Sequence, residues 1–390
     1  MKEIYFDNAA TTKVSSSVIK IVTDVMSVDY GNPSSLHKKG MKAEKYLKET
    51  SKIISKILNA EEKEIYYTSG GSESNNLAIL GVCAAYNRTG RHIITTTMEH
   101  AATSNPIKFL EENGWEVTYL SVDKYGKIDI EELKGSIRKD TVLVSIMHVN
   151  NEIGTILDIE TIGRVIKEKN STALFHIDAI QSFGKLFINV KKSNIDLLSI
   201  SGHKFHGPKG IGAIYIKNGT KVKPQILGGG QQKGLRSGTQ NVPGIAGLGV
   251  AAKEAYENIK AYQSKNLEIK KALADGILKN IDGVNINGLP IEESASHILN
   301  LTVNDIRGEV LLHSLETEGI FVSTGSACSS NKASSGSKTL RAIGLDSTDI
   351  NSSIRFSFSK YNYIEEVNQC LEVLKRVIPK LRMFTAGGRR

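Results

Sequence analysis

Apolar and polar positions in the first sixty residues repeat twice with helical spacing, over 16–28 and over a long charged stretch from about 36 to 59. Gly31-Asn32-Pro33-Ser34-Ser35 breaks the two. From residue 64 the pattern changes. Short β-branched or continuous apolar runs, each the length of a buried strand, now alternate with longer helical stretches. The runs are Glu64 to Thr68, His92 to Thr97, Thr141 to Met147, Ala173 to Ile177 and Ile195 to Ile200, followed by the stretch Gly210 to Ile216. Such βα alternation predicts an α/β fold built on a mainly parallel sheet with helices on both faces. Residues 244–282 read as one long helix, leading to a second, smaller region over about 262–390. That region mixes strands (His297 to Val303, Ile354 to Ser359) with helices (Gly308 to Glu318, Ile364 to Ile378).

Composition agrees with a two-domain globular chain: 390 residues, 40% apolar and 23% charged. The formal charge of +9 comes mostly from lysines spread along amphipathic stretches, without a basic block or interleaved aromatics. This is a basic surface rather than a nucleic-acid interface, and no stable nucleic-acid binding is expected. The N-terminus has no signal-peptide pattern and no apolar run reaches membrane-spanning length, so a cytoplasmic protein with no membrane partner is expected. Three cysteines with no Cys-x-x-Cys pair support neither a disulfide framework nor a zinc site, and no metal is expected.

The candidate chemistry lies at strand ends. Lys204, in Ser201-Gly202-His203-Lys204, follows the run Ile195 to Ile200 and sits among small, sharply turning residues. Asp178 closes the run Ala173 to Ile177, and His100 and Asn151 follow two others. Ser72 belongs to the turn Ser69-Gly70-Gly71-Ser72, which opens a helix and presents free backbone N–H groups suited to a phosphate. Each has an ordinary alternative: a surface lysine, a structural histidine, a serine cap. Their convergence on one sheet edge, where open α/β sheets bind ligands, is what marks a site. A lysine able to form a Schiff base, an acid, a ring-stacking histidine and an anion cradle are the parts a pyridoxal phosphate site requires.

Two further stretches cannot be core. Leu227 to Thr239 is glycine-rich, and Thr324 to Lys338, containing Cys328, has no bulky apolar side chain. Cys83, in a helical run, reads as a buried small hydrophobe. Cys328 instead reads as an exposed nucleophilic thiol on a surface loop.

Taken in order, Asp-Asn-Ala-Ala-Thr-Thr at 7–12, Gly-Asn-Pro-Ser-Ser at 31–35, Glu-His-Ala-Ala at 99–102, His-Val-Asn-Asn-Glu-Ile-Gly at 148–154 and Ser-Gly-His-Lys at 201–204 resemble the NifS/IscS-type cysteine desulfurases. Arg-Ser-Gly-Thr at 236–239, Gly-Ser-Ala-Cys at 325–328 and Ile-Arg-Phe-Ser at 354–357 extend the resemblance. It implies the pyridoxal-phosphate fold type I, with a large cofactor-binding domain over 16–261 and a small domain made of 1–15 and 262–390. It implies that Lys204 carries the cofactor, that Asp178 holds its ring nitrogen protonated and that His100 stacks on the ring and moves a proton. Asn151 and Gln181 would hold the ring hydroxyl side, and Gly71, Ser72, Ser201 and His203 the phosphate. Thr239 would reach the phosphate of the other subunit of a homodimer. Arg355 would clamp the carboxylate of L-cysteine, with Asn8 and Asn151 lining its pocket, and Cys328 would accept sulfur as a persulfide. An acceptor protein, an iron–sulfur scaffold or a tRNA-thiolation enzyme, would follow.

Gly71-Ser72 departs from the Ala-Thr of many members but keeps a hydroxyl. The basic tail from Pro379 to Arg390 has no match to the family's scaffold-docking terminus. A selenocysteine lyase or an aminotransferase of the same fold is the nearest alternative, and the Gly-Ser-Ala-Cys loop argues against the latter. A catalytically dead assembly scaffold is disfavoured by the joint presence of Lys204, Asp178, His100, Arg355 and Cys328.

Overall fold

The computed structural model describes residues 3–324 and 336–387. Seven strands form one sheet, in the spatial order Ile65–Thr68, Gly212–Ile216, Leu197–Ser201, Leu174–Asp178, Thr141–Met147, His92–Thr96 and Glu116–Leu120. All neighbours are parallel except Gly212–Ile216, which runs antiparallel to both of its partners. The connection from Ser201 to Gly212 is too short for a crossover, so the chain turns back beside the strand it has just left.

Continuous apolar runs became strands buried on both faces, and successive residues serve opposite cores. Ile94, Phe175 and Leu198 join one cluster with Ile54, Leu58, Phe183 and Leu248. Their neighbours Ile93, Leu174 and Leu197 join another with Leu77, Ile79, Val82 and Trp115. Cys83 is fully buried in that second cluster.

A separate core surrounds a three-stranded antiparallel sheet, ordered Ser353–Ser357, Ile298–Val303, Val284–Ile286. It draws Leu273 and Ile277 from the helix Ile259–Asn280, Leu311 and Leu315 from Gly308–Thr317, and Val367 and Leu374 from Ile364–Gly387. Ile4 and Phe6, from the opposite end of the sequence, belong to this core. The short strand Ile4–Tyr5 pairs in parallel with Ile320–Phe321. None of the helices, among the described residues, is long and apolar enough to cross a membrane.

The single helix expected over 244–282 is two, Val242–Glu257 and Ile259–Asn280. Asn258 departs from helical geometry at φ −116° and ψ 11°. Its amide donates to the carbonyl of Glu254 at 3.0 Å, so the side chain caps one helix where the next begins.

Several buried histidines are held neutral. His176 lies between the hydroxyls of Ser145 and Ser199, at 2.8 and 2.9 Å, and burial pushes its pKa down to about 3. Burial likewise pushes His148, His203 and His206 down to about 4. In the unfolded chain these rings protonate near pH 6.5, so below that pH unfolding takes up protons and the folded state loses ground. Each contributes up to ~1.4 kcal/mol per pH unit down to its folded pKa. Calorimetry of the apoprotein from pH 8 to pH 5 is expected to show a flat Tm above pH 7 and a steep fall below pH 6. A Tm unchanged down to pH 5 would contradict the buried neutral imidazoles.

Candidate active site

Sheet topology brings the C-terminal ends of the parallel strands to one edge, and Lys204, Asp178 and His100 meet there. Lys204 ends the single 3-10 turn Gly202–Lys204, immediately after the strand Leu197–Ser201. Its Nζ donates to the carbonyls of Ala9 at 2.7 Å and Ala10 at 2.8 Å. Thr12 fixes this turn: its backbone N–H and Oγ1 both donate to the His203 carbonyl at 2.9 Å. The same Oγ1 accepts from the His206 N–H at 2.7 Å, holding His206 at φ 70°. A non-glycine residue in that region is strained, and the N-terminal segment supplies the bonds that maintain it.

Asp178 ends the neighbouring strand and is 5% exposed. Its Oδ2 accepts from Asn75 Nδ2 at 2.7 Å and from Thr103 Oγ1 at 3.5 Å, and its Oδ1 from the Ile180 N–H at 3.0 Å. A carboxylate so furnished with donors is fixed in orientation. His100 caps the helix Ala101–Glu112, its Nδ1 accepting from the Ala102 N–H at 3.1 Å. That bond assigns the proton of the neutral ring to Nε2. Burial lowers the His100 pKa; Asp178 opposes the shift and Lys204 adds to it.

The helix Gly71–Tyr86 begins at the same edge. Gly70 adopts φ 153° and ψ −172°, a region only glycine enters readily. A Cβ on Gly71 would lie 2.2 Å from Ile180 Cδ1, so glycine lets this helix start rest on Ile180 as that side chain stands, and an alanine there would require it to shift. Ser72 is exposed, Ser201 buried and Thr239 exposed. His203 Nδ1 lies 3.1 Å from Thr11 Oγ1. Glu73 accepts from the Ser69 N–H at 2.9 Å and holds Arg236 at 2.8 and 3.2 Å, tying the glycine-rich segment to this helix start. Helix-start N–H groups, the Ser72 and Ser201 hydroxyls and the His203 imidazole are donor types that suit a phosphate.

Arg355 arrives from the small sheet, 6% exposed. Its Nη1 donates to the Asn151 carbonyl at 2.8 Å and its Nη2 to Asp7 Oδ1 at 2.8 Å. Its Nε is buried and has no protein acceptor. Gln181 Nε2 donates to the Ala9 carbonyl at 2.9 Å. The Asn8 amide donates within the protein, to Ser357 and Tyr5 carbonyls at 3.0 and 3.1 Å and to Asn362 Oδ1 at 3.1 Å, which ties the N-terminal segment to the small sheet. Cys328 lies outside the described residues.

The sequence pattern did not single out Asn75, Thr103 or Asp7. Asn75 sits one turn into a helix and Thr103 in another, and only the sheet topology brings both to Asp178. No spacing rule connects them.

A lysine at a strand end beside a fixed carboxylate and an anion cradle defines an enzyme of the pyridoxal-phosphate type, and the residues present fit that cofactor. The family model described as aminotransferase class-V matches residues 4–370. The cysteine desulfurase IscS of Methanosarcina thermophila is 45% identical over 98% of this chain and 93% of its own. The cysteine desulfurase IscS of Dictyoglomus turgidum is 42% identical over 98% of this chain and 96% of its own. Among solved structures, a NifS-like protein superposes with a TM-score of 0.91 at 37% identity, covering 97% of this chain and all of that one. The chain belongs to the class-V aminotransferase family and, within it, to the cysteine desulfurases.

Proposed function

We propose that this chain removes sulfur from L-cysteine with pyridoxal 5'-phosphate, giving L-alanine and a persulfide on Cys328. The observation that carries the reading is the convergence of Lys204, Asp178, His100 and Arg355 from four chain segments on one edge. Bound cofactor supplies an electron sink beside the substrate α-carbon. Lys204 Nζ would hold it and move the α-proton, Asp178 would partner its ring nitrogen, and His100 Nε2 would offer or take a second proton. The helix start at Gly71, with Ser72, Ser201 and His203, would hold the phosphate, and Gln181 and Asn151 would hold the ring. Arg355, already oriented by Asp7 and the Asn151 carbonyl, pairs with the substrate carboxylate, with Asn8 beside it.

The Cys328 thiolate attacks the substrate Sγ, a sulfur–sulfur bond forms, and the C–S bond breaks with its electron pair left on carbon. That carbon takes a proton and leaves as alanine. A thiol reductant or an acceptor protein, an iron–sulfur scaffold or a tRNA-thiolation enzyme, then takes the outer sulfur.

We place the large domain at 16–261 and the small domain at 1–15 with 262–390, a division supported by the two separate cores. A homodimer in the cytoplasm is part of the proposal, with Thr239 serving the partner's phosphate site. Uncovered apolar side chains between Ile19 and Met41, with Leu36 at 97% exposure, support a covering second copy. The test is the absorption spectrum before and after L-cysteine, with alanine and sulfide assayed together under reductant. Equimolar alanine and sulfide are expected; a responding cofactor band without sulfide would overturn the reading in favour of amino-group transfer.

Asp178→Asn is expected to lower kcat by roughly 10²- to 10⁴-fold, since losing the anionic partner of a buried cation costs about 3–5 kcal/mol. Circular dichroism of the variant apoprotein should match the parent, because the substitution is isosteric and the remaining amide oxygen can still accept from the Ile180 N–H.

A further inference from the structure

Lys185 is a charged side chain for which the proposed reaction has no use. It sits in the turn that follows Asp178, partly buried, with its Nζ donating to Gln181 Oε1 at 3.1 Å. It forms no ion pair among the described residues. Its charged neighbours are Lys204 and Arg355, both repulsive, and with burial they bring its pKa down to about 7. On its far side the interdomain cavity it shares with Lys204 is lined by His297, Asn266 and Lys360 and by no carboxylate. A cation surrounded in this way lowers stability, so its position calls for a compensating role.

The backbone that carries it is locked. The Lys185 N–H donates to Ser182 at 3.0 Å, and its carbonyl accepts from Gln263 Nε2 at 2.6 Å. Gly184, at φ 79°, lets this turn meet the Lys204 turn: a Cβ there would lie 2.8 Å from Phe205 Cβ. From Lys185 the bonds continue through Gln181 to the Ala9 carbonyl, which also accepts from Lys204. The Ala9 carbonyl only accepts, and Lys185 Nζ, in its ammonium form, only donates. Between them the Gln181 amide has one permitted orientation, Oε1 toward Lys185 and Nε2 toward the lysine site.

We infer that Lys185 is a positioning residue that fixes Gln181 with its N–H donors facing the cofactor's ring oxygen. Without the ammonium, Gln181 Oε1 loses its donor and only the Ala9 carbonyl is left to orient the amide. The inference rests on the proposed reading of Gln181 as a cofactor contact, and the experiment separates the two. Apoprotein is titrated with pyridoxal 5'-phosphate, and uptake is followed by its near-visible band in the parent, Lys185→Met, Lys185→Arg, Gln181→Ala and Lys185→Met/Gln181→Ala proteins.

Lys185→Met is expected to weaken uptake about tenfold, the loss of one charge-assisted hydrogen bond, with Lys185→Arg recovering most of it. In the Gln181→Ala background the Lys185→Met change should add less than about twofold, because its target is gone. The apoprotein Tm of Lys185→Met should be unchanged or higher, as removal of an unpaired cation relieves repulsion. Additive losses in the double variant, or a fall in apoprotein Tm that tracks the lost uptake, would overturn the positioning role. Parent-like uptake by Gln181→Ala would instead bring down the Gln181 reading itself.

Discussion

Lys204→Ala is expected to lower the rate of sulfide release by at least about 10⁴-fold, since one group that both attaches the cofactor and transfers the proton is lost. The side chain lies beyond a strand end, on a turn whose shape Thr12 and His206 maintain, and its removal leaves those backbone bonds in place. The variant apoprotein should therefore melt within a few degrees of the parent and still take up the cofactor at the phosphate cradle. Borohydride reduction followed by denaturation discriminates. The parent should retain the pyridoxyl group on the Lys204 peptide by mass spectrometry, and the variant should release it all. Label recovered on Lys185 in the variant would show that a neighbouring amine can substitute and would transfer the attachment role.

Cys328→Ala should abolish sulfide release while the cofactor band still responds to L-cysteine. The reason lies partly in the other two thiols. Cys83 and Cys370 are both fully buried, and burial raises both thiol pKa values, Cys370 to about 12, so neither supplies a thiolate at neutral pH. Only Cys328 stands among residues without bulky apolar side chains. The measurement is persulfide trapped by an alkylating reagent after a single turnover: it should appear on the Cys328 peptide of the parent, persist in Cys83→Ala and Cys370→Ala, and vanish in Cys328→Ala. Persulfide on either buried cysteine would sink the assignment.

Much of the fold was legible because strand burial is written in continuous apolar runs. Thr141 to Met147 was bounded to the residue, and the runs ending at Asp178 and Ser201 were displaced by one residue at most at the ends that carry the site. The break at Asn258 was not legible, since both flanking segments favour helix and only a side-chain cap separates them. For the site, residue type and strand-end position were enough to bring Lys204, Asp178 and His100 together. The groups that hold them were hidden. Asn75, Thr103 and Asp7 are ordinary polar residues whose partners are 103, 75 and 348 positions away, a relation set by topology alone. Lys185 was equally silent, because a lysine after a glycine reads as surface until its neighbours are seen.

The first dozen residues are sewn into the far end of the chain. Ile4 pairs with Ile320, Asn8 with Ser357, and Thr12 with the turn that carries Lys204. During translation at roughly 5–20 residues per second, this leading segment waits on the order of 20–70 s before its last partner leaves the ribosome. Until then the segment that bears the Ala9 and Ala10 carbonyls lacks the anchor Asn8 makes to the small sheet. An extension fused to the N-terminus therefore burdens a segment whose pairing waits on nearly the whole chain.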